Sequence, residues 1–274
     1  MSKNNNFEKE YFFLSGLHRS GNTVLSAILN QNPNIHSSPI SSLIEHIWQS
    51  HLISEYLQST VANKEDKEKS KFLISKMIDL YYYNIDKPII FDRNKVWINP
   101  GNIELIKEYI NKNPKIIFTT RPFIEMAVSF IAIAKNKIIE EMNSSNFIQN
   151  KNISINDNIA DFLFSDFSKY GMNMKYAFES IDNLNNTNMI YTVKYEDLLS
   201  EPQKTMNSIY DFLKIKKYKH DFNNIQQTDE YDDNLIGFSN DLHKVRKNLD
   251  RGNLKAEDYL SINHIKKYKN VRYF

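Results

Sequence analysis

The stretch from Tyr11 to Leu29 constrains this chain more than any other part of it. Tyr11–Ser15 (YFFLS) is an unbroken apolar run closed by Gly16, the pattern of a buried strand entering a loop. Gly21 follows, and Thr23–Leu29 (TVLSAIL) has helical spacing that stops ahead of Asn32-Pro33. The predicted order is strand, tight loop, helix. Glycines at both ends of the loop let the backbone double back and approach an anion closely. Helix-start amides then point at that anion. Arg19 adds a forked cation suited to phosphate or sulfate oxygens, and Ser20 and Thr23 add hydroxyl donors.

The loop reads Gly16-Leu17-His18-Arg19-Ser20-Gly21-Asn22-Thr23. Against the nucleotide-triphosphatase pattern G-x-x-x-x-G-K-[ST], both glycines fit and the lysine does not, its place being held by Asn22. The positive charge sits inside the loop, on Arg19. An anion cradle is kept, while the lysine that grips β- and γ-phosphates is missing.

Further apolar runs at Pro88–Phe91, Lys115–Thr120 and Asn188–Val193 read as three more strands. Between them lie helical patterns at Ser41–Leu57, Lys64–Tyr83, Asn102–Ile110, Ile124–Ile138 and Ile159–Ile181, with Gln203–Leu213 after the last strand. Asn143–Asp157 is polar and reads as a loop, and no period is legible after Asp221. Alternating strands and helices imply an α/β fold, a P-loop-like parallel β-sheet with helices on both faces. The strands are continuous apolar runs, as a doubly covered sheet requires. Without a repeat or a boundary, residues 1–274 are expected to form a single domain. Ligands of such sheets bind at the carboxyl ends of the strands.

A net charge of +2 argues against nucleic acid as a partner and means that any anion is held by local cations. The absence of cysteine excludes disulfides, thiolate metal sites and a cysteine nucleophile. MSKNNNFEKE lacks the apolar region of a signal peptide, and the apolar stretch Phe123–Ala134 carries Glu125 and is too short to span a bilayer. A soluble cytoplasmic protein is expected, and its oligomeric state is not legible.

The stretch FLSGLHRSGNTVLSAILNQNPNIHSSP resembles the 5′-phosphosulfate loop of sulfotransferases that use 3′-phosphoadenosine 5′-phosphosulfate (PAPS), usually Gly-Leu-Pro-Arg-Ser-Gly-Thr-Thr. His18 stands for the proline and Asn22 for a threonine or serine. Neither change removes a loop amide. The segment Thr120–Phe130 is similar to that superfamily's 3′-phosphate site, in which a strand-end arginine precedes a helix serine by eight residues, as Arg121 and Ser129 do. Val193–Leu198 resembles a strand-end motif whose tyrosine, here Tyr195, helps hold the adenosine. Leu242–Lys247, with Arg246, looks like the C-terminal basic segment that folds over the nucleotide. The resemblance spans about residues 11 to 250 and looks nearest to the branch of tyrosylprotein sulfotransferases and microbial relatives.

The resemblance implies sulfuryl transfer from PAPS to a hydroxyl or amine on a glycan, lipid or small metabolite. Gly16, Arg19, Ser20, Gly21, Asn22, Thr23, Arg121, Ser129, Tyr195 and Arg246 would hold the donor, and no metal is needed. Catalysis would rest on positioning and on neutralising charge on the moving group. Arg19 and a basic residue after the second predicted strand would do this, with Arg93 the candidate and Lys95 the reserve. The acceptor needs a general base. The glutamate that serves in tyrosylprotein enzymes aligns with Ile40, which argues against a protein tyrosine as acceptor. Glu45 and His46 are the candidates for that role, and His36 is another. Two other readings stay open: a P-loop kinase or nucleotidase, with Asp92 as its magnesium ligand, and a nucleotide-binding protein without catalysis.

Overall fold

A computed structural model describes residues 8–184, 187–227, 232–237, 243–269 and 271. Strands β1 (Glu10–Gly16), β2 (Ile35–Ile40), β3 (Ile89–Arg93), β4 (Ile116–Thr120) and β5 (Ile190–Lys194) form one sheet in the order β2-β3-β1-β4-β5. Every pairing is parallel. Successive side chains on a strand face opposite sides. Phe12 and Leu14 of β1 therefore pack with Leu25 and Ile28 of helix α1 (Asn22–Leu29), beside Met206 and Ile209 of a helix near the C-terminus. Phe13 turns the other way, into a cluster with Ile44, Ile74, Trp97 and Ile106. That opposite layer is built by α2 (Leu43–Tyr56), the short α3 (Gln58–Ala62), α4 (Lys64–Tyr81) and α5 (Pro100–Tyr109). Both faces of the sheet are covered, as its apolar strands require.

β2 is absent from the sequence expectation. Its residues, Ile35-His36-Ser37-Ser38-Pro39-Ile40, are too polar to read as a core strand. Among the described residues it is an edge strand, paired only with β3, and its register shifts between Ser37 and Ile40. An edge position tolerates Pro39, which has no N–H to give. The serines bond beneath the edge, Ser26 Oγ lying 2.8 Å from Ser37 Oγ.

Helix α6 (Phe123–Ser144) runs past the expected end at Ile138, with a kink at Ala134. The expected helix 159–181 is two helices, α7 (Ile155–Leu163) and α8 (Lys169–Leu184). Between them Ser168 turns its hydroxyl back to the carbonyl of Leu163 (3.0 Å) and accepts the N–H of Gly171 (2.9 Å), closing the break. After β5 come α9 (Tyr195–Ser200) and α10 (Pro202–Leu213), and α11 (Ile262–Lys269) lies beyond Asp221, where no period was legible. Among the described residues, no helix is long and apolar enough to cross a membrane.

The chain passes from β1 out to β2, returns through β3, and crosses β1 to reach β4. β1 and β4 are neighbours whose following helices diverge, so a crevice opens at their carboxyl ends. Every candidate donor residue but Arg246 lies in the segments that leave β1, β4 and β5.

Candidate active site

The loop after β1 is held against β4. Gly16 is in register with Thr119, and a Cβ on it would come within 2.2 Å of Thr119 Oγ1. The Leu17 amide donates to the Thr119 carbonyl at 2.9 Å. Ser20 lies buried under the turn, its hydroxyl 2.5 Å from the Leu17 carbonyl and 2.6 Å from Thr119 Oγ1. Ser20 therefore stitches the loop to the sheet and does not line the cavity above it. Asn22, also buried, reaches back to the Leu17 carbonyl with its amide (3.4 Å). Arg19 and Gly21 take left-handed backbone angles, φ 61° and 91°. Among the described residues, helix α1 has neither a side-chain cap nor an acidic residue in its first turn, an arrangement that favours an anion at its start.

The two anion motifs meet. Arg121, just past β4, donates from Nη1 to the carbonyl of Arg19 at 3.2 Å. Arg19 in turn donates from Nε to Ser129 Oγ on α6 at 3.0 Å. The Arg121 guanidinium lies 4.7 Å from the centre of the Tyr195 ring. That ring packs on Gly21, where a Cβ would come within 2.6 Å of it. One continuous layer thus runs from the loop through Arg121 to Tyr195. Burial and the nearby Arg121 push the Arg19 guanidinium down to about 10.

This layer floors a cavity of about 850 Å³, within the range of small-molecule sites, about 300–1,000 Å³. Among the described residues its charged walls are Arg19, Lys95, Arg121, Lys169, Lys244, Arg246 and Arg251 against one carboxylate, Asp250. Such a lining favours an anionic ligand. Thr23 faces the cavity while its Oγ1 accepts from Arg93 Nη1 at 2.8 Å, which leaves the Thr23 hydroxyl hydrogen to donate elsewhere.

Beyond β3 the chain makes a tight turn, Lys95–Ile98. Ser15 of β1 ties it down, donating to the Lys95 carbonyl (2.6 Å) and accepting from the Ile98 amide (3.2 Å). Lys95 lines the cavity, and among the described residues its Nζ makes no hydrogen bond or ion pair. Burial first, then Arg19, Arg93 and Lys169, push its ammonium down to about 7. Asp92, near the end of β3 and three residues before this turn, is 0% exposed. Its two oxygens accept from Ser41 (2.6 and 2.7 Å), from Trp97 Nε1 (2.7 Å) and from Tyr82 (2.7 Å).

A family model described as the sulfotransferase family matches residues 12–220. The chain belongs to the sulfotransferase family. Among solved structures, its fold is similar to mouse sulfotransferase SULT7A1 complexed with PAP, with 14% identity over 96% of this chain and 84% of that one, at a TM-score of 0.53. It is also similar to the sulfotransferase domain of the curacin biosynthetic pathway, with 16% identity over 97% and 92% of the two chains, at a TM-score of 0.52. No curated protein matches the sequence.

In this sulfotransferase the remaining candidate residues lie apart from the loop. Arg93 is 4% exposed and is spent on Thr23 and on the Ser38 carbonyl (3.2 Å), so it supports the cradle from below, whereas its reserve, Lys95, reaches the cavity. Glu45 accepts from the Asn94 amide (3.2 Å) and borders a separate cavity of about 490 Å³ with Trp48, Tyr176 and Glu179. His46 is exposed on the same helix and lines neither cavity. His36 sits low on β2 with its ring against Tyr82. Burial, Lys87 and Lys9 keep it below the usual histidine range.

Arg246 borders the main cavity but is largely exposed and paired with Asp250 at 2.5 Å. Leu242, the first residue of the basic segment, lies outside the described residues. The sequence reading missed Arg251, which shares the Glu125 carboxylate with Arg121. It also missed Lys169 and a buried pair, Asp233 and His243. Gly252, with φ 69°, was the available signal for a built turn beside Arg251.

Proposed function

We propose that this sulfotransferase takes its sulfuryl group from PAPS and passes it to a hydroxyl or amine on a small acceptor. The observation that carries the reading is the hydrogen bond from Arg121 to the Arg19 carbonyl, which joins a phosphosulfate-type loop and a second anion site in one cavity. A donor charged at both ends needs two such sites a nucleotide apart. Loop amides, Thr23 and Arg19 are assigned to the 5′-phosphosulfate end. Arg121, Ser129 and Arg251 are assigned to the 3′-phosphate, and Tyr195 to the adenosine. Lys95 is assigned the neutralising role at the transferred group, ahead of Arg93, because it is the one whose side chain borders the cavity. The whole chain, residues 1–274, is read as one such unit.

The kinase reading loses its support. Asn22 holds the place of the phosphate-gripping lysine, and both oxygens of Asp92 are already saturated inside the core. Phe130, Ile133 and Tyr170 line the cavity with Lys95, which fits an acceptor with an apolar body, such as a lipid or an apolar metabolite. The test is calorimetry with adenosine 3′,5′-bisphosphate (PAP) and with magnesium ATP, followed by label transfer from [³⁵S]PAPS to mixed acceptors. PAP is expected to bind at least ~10-fold more tightly, a difference of about 1.4 kcal/mol. Tighter binding of ATP would refute the donor assignment.

A further inference from the structure

We propose that His243, oriented by Asp233, is the general base that takes the proton from the sulfuryl acceptor. The proposal rests on the sulfotransferase reading above, because it requires the donor to occupy the cavity that His243 lines. None of the glutamate and histidine candidates from the sequence borders that cavity, so the reaction lacks a base without another group.

His243 and Asp233 are 7% and 1% exposed. One Asp233 oxygen accepts the backbone N–H of His243 at 2.9 Å, and the other accepts from ring Nδ1. The first bond fixes where the residue sits and the second fixes how its ring turns. A carboxylate can only accept, so the neutral ring carries its proton on Nδ1, and Nε2 is the basic nitrogen. A buried histidine paired with a carboxylate is the arrangement that both orients a base and stabilises the imidazolium it becomes.

The groups facing His243 come from four parts of the fold. Asp233 lies on its own segment, Arg93 and Lys95 at the end of β3, His18 on the phosphate loop, and Lys169 at the start of α8 across the cavity. Burial, Lys95 and Arg93 lower its affinity for a proton while Asp233 raises it, and the net direction is downward from the ordinary value. His243 is therefore neutral near pH 7. His18 shares the cavity, with its ring 4.8 Å from Tyr170, but no carboxylate among the described residues partners it. Burial and the cations Lys95, Lys169 and Arg19 hold it well below the usual histidine range, which makes it a poor base.

In the step assigned to His243, the acceptor O–H gives its proton to Nε2 as the oxygen forms its bond to sulfur. The bond from sulfur to the bridging oxygen breaks, and its electron pair leaves on the 5′-phosphate. Lys95 and Arg19 offset the charge that collects there.

The experiment uses the full chain and [³⁵S]PAPS, with water as the probe acceptor and release of sulfate and PAP as the readout. PAP affinity is measured on every variant. H243Q should lower turnover ~10²-fold or more, the usual worth of a general base, and leave PAP affinity nearly unchanged. Added imidazole should restore turnover to H243G. The rate of the wild type should rise with pH on the acidic side; H243Q should lose that limb, D233N should shift it to lower pH, and H18N should keep it. Turnover by H243Q within twofold of wild type, or loss of the limb in H18N instead, overturns the proposal. So does a wild type that binds PAP and never turns PAPS over. A wild type that does not bind PAP sinks the donor reading itself. If H243Q does not fold, ¹⁵N resonances of the wild-type ring decide: a neutral ring protonated on Nδ1 at pH 7 supports the assignment, and a proton on Nε2 or a charged ring refutes it.

Discussion

Lys95 is where a single side chain connects burial to binding. Its ammonium is pushed down to about 7 because it is enclosed with Arg19, Arg93 and Lys169. A bound polyanion reverses that pressure and raises its affinity for a proton. At pH 8 the free protein holds Lys95 mostly neutral, so PAP binding should take up close to one proton. At pH 6 the lysine is already charged, and little uptake from it is expected. PAP affinity should therefore fall as pH rises through about 7, and Lys95→Met should flatten that fall. Calorimetry in buffers of differing ionisation enthalpy measures the uptake directly, and equal uptake by Lys95→Met would remove Lys95 from the donor site. Gly21 makes a second residue-scale prediction. Its φ of 91° and the Tyr195 ring within 2.6 Å of any added Cβ leave no room for alanine. Gly21→Ala should cost of order 1–3 kcal/mol of stability and weaken PAP by displacing Tyr195, as read by thermal unfolding and titration.

At the scale of the element, the turn Lys95–Ile98 is positioned by a carboxylate buried away from the cavity. Asp92 gathers Ser41, Tyr82 and Trp97 from three segments of the chain around the end of β3. Removing one donor leaves part of a buried carboxylate unsatisfied, which costs about 1–3 kcal/mol. Tyr82→Phe should lower stability by that amount in urea unfolding. It should also reduce sulfuryl transfer more than PAP binding, because Lys95 moves with the turn. An unchanged unfolding midpoint would mean that water replaces the tyrosine. The kinase reading treated the same residue as a metal ligand, and burial is what separates the two roles.

At the scale of the molecule, the C-terminal segment closes the cavity that the sheet opens. It is tied down by backbone bonds from Ile225 to Lys247 (2.8 Å) and from Leu249 to Phe222 (3.0 Å). Leu249, Val245 and Phe222 pack on the face of the sheet that holds α1 and α10. Glu125 links Arg251 of this segment to Arg121. A phosphate between the two arginines would bind the segment to β4 more firmly. PAP should therefore slow amide exchange in residues 243–254 by ~10-fold or more, local opening being the event it opposes. Exchange that is unchanged by saturating PAP would separate the segment from the donor site.

The local motifs were legible in the sequence because each is contained within one strand-to-helix passage. Tyr11–Leu29 carries its own strand, turn chemistry and helix start, and Thr120–Phe130 carries its own strand end and helix face. From these the parallel α/β fold followed, and with it the loop proposed to hold the donor. β2 was not legible, because an edge strand needs no apolar run, and neither was the break at Ser168, where hydroxyl bonds replace helix. Only tertiary structure decided that Lys95 borders the cavity while Arg93 lies beneath it, since Arg93 ends the strand and Lys95 already belongs to the turn that follows. It alone brought His243 and Asp233 to the mouth of the phosphate loop more than 200 residues away in sequence. Sequence periodicity records what a segment does with its own backbone. Which side chains share a cavity is settled by packing among distant segments, and that leaves no local pattern to read.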